Sequence, residues 1–217
     1  MRRSDLLDVD KIKEGLGTKW IGSQIIVYKS TSSTNDVAAE YAKNKNNDGL
    51  TIFAEEQTKG RGRAGNKWIT GKYDSVICSF VLTKCSIKPD MLSLVCAVAA
   101  AQAIGPNARV KWPNDIILNG KKVGGILVES KNIKNHKAYI IGIGINCHQK
   151  KNDFEDQLRK TATSIDIESG TFTDRNFVAK RLLWSMEHWL QTAEKKSIKV
   201  IEEWKSLSIQ LHHRVHL

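Results

Sequence analysis

The residues best suited to chemistry fall in three short polar clusters set between apolar runs. The first is residues 55–68, EEQTKGRGRAGNKW, where Gly60, Gly62 and Gly65 alternate with Arg61 and Arg63. Glycine there permits tight backbone angles and lets N–H groups approach a ligand closely. Arginine offers planar donors matched to carboxylate or phosphate oxygens. Such a loop can close over a small anion, but a solvated basic turn has the same composition, and the stretch alone leaves both readings open. The second cluster is KWPND (111–115) with Lys122 nearby, and the third is GIN (144–146). Lysines at strand ends beside glycine-rich backbone aim positive charge into a concave site. Trp68 and Trp112 are candidates for its apolar walls, although Trp112 equally fits core packing. Lys111, between Val110 and Trp112, needs an exit to solvent or an anionic partner.

Several chemistries lose their usual support. No GxxxxGK(S/T) phosphate loop is present, and GIGIN lacks the third glycine and the downstream acid of a dinucleotide fingerprint. HExxH and GxSxG are absent. Cys78, Cys85, Cys96 and Cys147 show no CxxC pair or metal-like spacing, and Cys78 and Cys96 lie inside apolar runs as small core residues do. What remains is a positively lined site without an obvious nucleophile, which works by orientation and charge stabilisation.

The elements that must position these clusters follow from the apolar pattern. Residues 24–28 (QIIVY) read as a strand, and Ser33 or Thr34 as the N-cap of a helix with Val37, Ala38 and Tyr41 on its buried face. These hydroxyls either only cap the helix or face a polar ligand group at its N-terminus. A second strand from Gly49 (LTIFAEE) feeds the glycine–arginine loop, and residues 73–82 form a long, central strand. Pro89 opens the clearest helix, alanine-rich and almost uncharged, which stops at Gly105–Pro106. Strands at 108–112, 116–118, 122–129 and 138–146 follow, with an Asn119–Gly120 hairpin turn. An amphipathic helix spans 174–195, with Phe177, Leu182, Leu183, Met186, Trp189 and Leu190 as its apolar side, and a last helix covers 198–207. Hairpin-linked strands with one inserted core helix make an α+β fold with a mixed, largely antiparallel sheet.

A chain of 217 residues suits one domain, with room for a small satellite. Its net charge of +11 favours acidic partners without choosing among nucleic acid, anionic membrane and acidic protein. The acidic residues near the N-terminus do not fit a signal peptide, and no uncharged apolar run reaches the length of a membrane span. The default expectation is cytoplasmic.

STND (33–36), EEQTKGRGRAGNKW (55–68), VKWPNDI (110–116), GKKVGGILVES (120–130) and IGIGIN (141–146) together resemble the biotin–protein ligases, in family order and spacing over about residues 25–150. The resemblance implies a catalytic domain over 1–209, of the biotin–lipoate ligase type that is similar to class II aminoacyl-tRNA synthetases. It implies two steps. Biotin and Mg-ATP give biotinyl-5′-AMP, and the acyl group then passes to a lysine on a biotin carboxyl carrier domain, an acidic protein partner. Carried over by motif, Ser33, Thr34 and Asn35 would line the biotin end and Gln57 would meet its polar head or carboxylate side. Arg61, Gly62 and Arg63 would belong to the loop over the adenylate. Lys122 would contact the carboxylate or α-phosphate, with Lys111 and Trp112 close by, and Gly125 and Ile126 would offer backbone contacts. Asn114 and Asp115 would lie near the phosphates, with Asp115 serving magnesium or the substrate lysine, and Asn146 by the nucleotide.

Carboxylate attack on a phosphate brings two anions together, which is uphill unless cations such as Arg61, Arg63, Lys111, Lys122 and Mg²⁺ screen them. The resemblance needs neither specific nucleic acid nor membrane, and a homodimer is an allowed assembly. Two departures stand out. The roughly 25 residues before the first strand are too few for the DNA-binding domain of bifunctional members, and 210–217 read as a tail or as the first strand of a missing C-terminal β-domain. The rival readings are a lipoate or octanoate ligase or transferase, a biotin-binding protein that does not transfer, and, on charge alone, a nucleic-acid binder.

Overall fold

A computed structural model describes residues 5–133 and 136–211. Helix α1 (Val9–Lys13) precedes strand β1 (Ile25–Tyr28), helix α2 (Thr34–Tyr41), β2 (Thr51–Ala54) and β3 (Ser75–Leu82). Helix α3 (Pro89–Ile104) leads to β4 (Ala108–Lys111), β5 (Asp115–Leu118), β6 (Lys121–Ile133) and β7 (His136–Asn146). Short helix α4 (Ile165–Ser169) and long α5 (Arg175–Leu207) follow. The strands form one seven-stranded sheet in the order β1-β2-β3-β7-β6-β5-β4. Only β1 and β2 pair in parallel; every other neighbouring pair is antiparallel. The expected α+β architecture is present.

Period-two alternation sorts the two faces of the sheet. On β7, Ile141, Ile143 and Ile145 point with Phe80 of β3 into the main core, where α3 and α5 cover the sheet with Leu92, Leu182 and Met186. Burying each such side chain contributes about 1.5–3 kcal/mol. Residues 138 and 140 face the other way and pack, with Ala38, Ala42 and Ile52, beneath α2. Further along that second face, Gly142 and Gly144 carry no side chain to fill the space. The core is therefore continuous on one face and open on the other.

Local chemistry explains most boundaries. Pro89 occupies the first turn of α3, and Gly105 at φ 147° ends it. Asn119 and Gly120 both adopt positive φ, 48° and 78°, which suits the tight turn joining β5 to β6. Ser33 stands at the N-cap position of α2, but its hydroxyl makes no cap bond, so capping does not account for it. The two C-terminal helices read from the sequence are one helix broken at Lys196 (φ −149°, ψ 63°). Phe177 is a correction. It is 54% exposed, because Val178, Leu182 and Met186 take the inner face and leave residue 177 outside, under the Arg181 guanidinium. The second strand is shorter than expected, since Glu55 leaves it to pair with Arg175. Residues 212–217 of the proposed tail lie outside the described residues. Ser208 pairs with Val110, and the Ile209 amide donates to its carbonyl, at the β4 edge.

A buried ionic knot joins distant segments behind the open face. Arg175 is fully buried. It donates to Glu55 Oε2 at 2.7 Å, to Asp5 Oδ1 at 2.9 Å and to the Ser75 carbonyl at 3.1 Å. Glu55 also accepts from the Leu7 amide. His148 bridges Asp166 (2.8 Å) and Asp5 (3.2 Å) and stacks on Phe172. Burial works against charging His148, but the two carboxylates outweigh it and raise its pKa. A histidine raised in the folded state contributes stability that is complete below its unfolded pKa and is lost as pH rises through its folded pKa. The thermal midpoint should therefore fall as pH rises from about 6.5, the ordinary histidine value, toward alkaline pH, and His148→Gln should flatten that slope. A pH series of calorimetric scans on both proteins checks this.

Candidate active site

The open face is organised by two rows of residues across the strands. Register places Ala54, Ile77, Gly144, Gly125 and Asp115 in one row, and Ile52, Ser79, Gly142 and Leu127 in the next. The glycines make a floor. A Cβ added at Gly142 would lie 2.4 Å from Asn35 Oδ1, and one at Gly144 would lie 2.5 Å from the Trp68 indole. The missing side chains are thus replaced by the start of α2 on one side and by the glycine–arginine segment on the other. Between them lies a cavity of about 200 Å³.

Its polar wall is a connected network. The Gln57 side-chain oxygen accepts from the Thr34 amide (2.7 Å) and the Thr34 hydroxyl (3.0 Å). That backbone donor fixes the orientation of the amide, so its NH₂ group is left as a donor on the cavity wall. Ser79 shares its single hydroxyl proton between Thr34 Oγ1 and Asn35 Oδ1, at 2.7 and 2.6 Å. Asn35 donates to Glu129 at 2.6 Å. Ser79 was not singled out in the sequence; its signal was a polar residue inside an apolar strand, opposite a glycine that only the fold could place.

At the other end, Lys122 Nζ lies 2.5 Å from Asp115 Oδ1 and 5.9 Å from the centre of the Trp68 ring. Both residues also border a second cavity of about 960 Å³, together with Asn66, Lys67 and Trp68. The Asp115–Lys122 pair therefore sits where two spaces meet. Arg61 and Arg63 border the smaller cavity but differ in state. Arg61 makes a two-pronged bond to Asp36, at 2.8 and 2.7 Å, and holds that carboxyl below the usual range. Arg63 has no ion-pair partner among the described residues.

Most of the residues singled out from the sequence come together here: Ser33, Thr34, Asn35, Gln57, Arg61, Gly62, Arg63, Asn114, Asp115, Lys122, Gly125 and Ile126 all border the smaller cavity. Three do not. Lys111 and Asn146 border the larger one, and both polar atoms of the Asn146 side chain are engaged, by the Thr163 carbonyl and by Gln149. Trp112 borders neither. It is 52% exposed and meets Trp204 edge-on, because residue 112 lies in the turn beyond β4, outside the buried alternation. Ile126 offers less than expected, since Asn114 holds both its amide and its carbonyl at 3.0 Å. Trp68 does wall the cavity, with its indole N–H buried and unpartnered.

Burial raises the pKa of Cys78 and Cys147, the latter to about 12, so neither thiol supplies a nucleophile. No cluster of three metal-ligating side chains occurs among the described residues. A single carboxylate at the junction fits a magnesium ion carried in on phosphates and does not make a resident protein cage. No helix among the described residues is long and apolar enough to cross a membrane.

A glycine-floored cleft on a mixed sheet, walled by a helix N-terminus and a cationic loop, defines a class: an α+β domain whose open face carries a small cavity lined with cationic side chains. Residues 27–146 match the biotin/lipoate A/B protein ligase family, and the chain belongs to it. It is 36% identical over 199 residues to the bifunctional ligase/repressor BirA of Bacillus subtilis, covering 86% of this chain and 60% of that protein. The chain thus spans about three fifths of the length of the Bacillus relatives it matches. Two structures of biotin protein ligase from Aquifex aeolicus superpose on it at 28% identity. One, a mutant in complex with biotin, gives a TM-score of 0.76 over 87% of this chain and 79% of that one. The other, in complex with biotin and ATP, gives 0.74 over 87% and 80%.

The glycine floor is directly testable. Gly144→Ala forces the Trp68 ring off the sheet, so destabilisation of about 1–3 kcal/mol is expected from overpacking. Denaturant unfolding measures the loss, and increased acrylamide quenching of tryptophan emission reports the displaced ring.

Proposed function

We propose that this chain activates biotin with ATP and transfers it to a carrier lysine. A biotin carboxylate oxygen attacks the α-phosphorus of ATP, a mixed anhydride forms, and the bond to pyrophosphate breaks with its electron pair leaving on pyrophosphate. The lysine amine of a biotin carboxyl carrier domain then attacks the acyl carbon, and AMP departs. The observation that carries this reading is the Asp115–Lys122 pair at the junction of the two cavities, one sized for a small acid and one for a larger anionic partner. Family membership and the Aquifex relatives bound to biotin and ATP support it.

Roles follow from chemistry. Ser33, Thr34, Asn35 and the Gln57 amide address the polar head of biotin, while Gly125 and Trp68 pack its apolar body. Lys122 meets the carboxylate and α-phosphate, and Arg63 brings a second positive charge to the phosphates. Magnesium bound to ATP would further neutralise the phosphates, with Asp115 and the phosphate oxygens as its ligands. Lys111 and Asn146, on the larger cavity, belong to the nucleotide side. For the second step, Asp115 takes a proton from the incoming ammonium once Lys122 is engaged elsewhere. An acidic carrier also suits the net charge of +11. The catalytic domain on this reading is 1–209.

Biotin-dependent ATP–pyrophosphate exchange followed by labelling of a carrier domain tests the whole scheme. Lys122→Ala should lower exchange by about 10²-fold, the scale of losing one electrostatic contact in the transition state. Arg63→Ala should shorten retention of the adenylate while preserving more of the exchange rate. Wild-type behaviour in both variants would reject the assigned site. Because the family also embraces lipoate ligases, titration calorimetry with each acid separates the readings: biotin should bind measurably and lipoate should not, and the reverse order makes this a lipoate enzyme.

A further inference from the structure

The two arms of the glycine–arginine segment are held differently, the incoming one by hydrogen bonds and the outgoing one by the packing of Trp68. Its incoming arm is zipped to the chain before α2: Gln57 pairs with Thr31, the Thr58 amide donates to the Thr31 carbonyl, and the Lys59 amide donates to the Ser32 carbonyl. Arg61 then reaches Asp36 in the first turn of α2 through two parallel bonds, with Glu129 of β6 3.7 Å away. Glu129 is itself held by Asn35, and Lys131 lies 3.9 Å from it. Among the described residues, the segment beyond Arg61 bonds only to itself until Trp68 reaches the floor. The Gly62 amide donates to the Asn66 carbonyl, and the Trp68 amide to the Gly60 carbonyl. Arg61 is therefore the last side-chain anchor before the tip.

We propose that Asp36, backed by Glu129, is an acidic catch for Arg61 that shapes the cavity wall before any ligand arrives. Two like arginines in one loop thereby have different tasks. Arg61 is a positioning residue, its fork geometry matched by a carboxylate of the protein itself. Arg63, without such a partner, is the guanidinium left for a ligand anion. Asp36 and Glu129 become positioning residues for the site although neither borders the smaller cavity. The catch also places Gln57, four residues before Arg61, so that its amide remains turned to Thr34. The effect on adenylate handling rests on the biotin-activating reading above; the effect on the loop does not.

The test uses the full ligand-free chain. Hydrogen–deuterium exchange of residues 57–68 is compared among wild type, Asp36→Asn, Arg61→Gln and the charge swap Asp36→Arg with Arg61→Asp. Each single variant should speed exchange of the Gly62 and Trp68 amides by about fivefold, and the swap should return it to within about twofold of wild type, the scale set by a half-exposed ion pair. Glu129→Gln should act in the same direction and less strongly. In biotin-dependent pyrophosphate exchange, Asp36→Asn should raise the KM for biotin more than it lowers kcat, and the swap should restore it, which general destabilisation would not do. Unchanged loop exchange in Asp36→Asn, or a swap no better than the single variants, overturns the catch. If wild type shows no pyrophosphate exchange while the loop amides respond as described, the biotin-activating reading fails and the catch stands.

Discussion

The absence of two side chains on one face of β7 is the constraint on which the rest of the site depends. Gly142 and Gly144 lie in register with Ser79 and Ile77 on one side and with Leu127 and Gly125 on the other. The strand remains fully paired, so the sheet keeps its backbone hydrogen bonds while one patch of its surface sinks by the depth of a side chain. Asn35 and Trp68 approach to distances that a Cβ would forbid. Through that gap the start of α2 and the glycine–arginine segment reach the floor of the cavity.

The other face holds the floor still. Ile141, Ile143 and Ile145, which flank and separate the two glycines, are buried in the main core that α3 and α5 cover. Arg175 extends this rigidity to the edge of the site. Its pairing with Glu55 fixes the chain two residues before Gln57, where the glycine–arginine segment departs. A buried guanidinium is costly unless fully paired, and this one is bonded to Glu55, to Asp5 and to the Ser75 carbonyl. The arrangement specifies where the loop begins.

Charge is divided with similar economy. Of the cations near the smaller cavity, Arg61 is committed to Asp36 and Lys122 to Asp115. The Asp115–Lys122 pair is not sealed from solvent, so an arriving carboxylate or phosphate competes with Asp115 for the ammonium without a large desolvation cost. On the proposed reading, the Asp115–Lys122 pair would supply both an anion-binding ammonium and a proton acceptor at one place, as activation and transfer at a single site require.

Much of the fold was legible from local pattern. Alternation marked the strands, Pro89 and Gly105 bracketed α3, and Asn119–Gly120 announced its turn, because these features arise from backbone angles and from burial with a regular period. Residue types and spacing also marked the polar clusters that meet at the cavity. Where the reading went astray, it lacked the third dimension. Trp112 and Phe177 were assigned by apolarity, yet one lies in a turn and the other on the outer side of a helix. That Lys111 and Asn146 border the larger cavity and not the smaller is likewise a division that only the fold draws. Ser79 gained its place only when β3 aligned with β7. The sequence by itself determined the strands, the core helix and the chemical types available to the site. Tertiary structure alone decided which guanidinium is held and which is free, because Asp36 and Arg61 are 25 residues apart in the chain and meet only when α2 and the loop fold over the glycine floor.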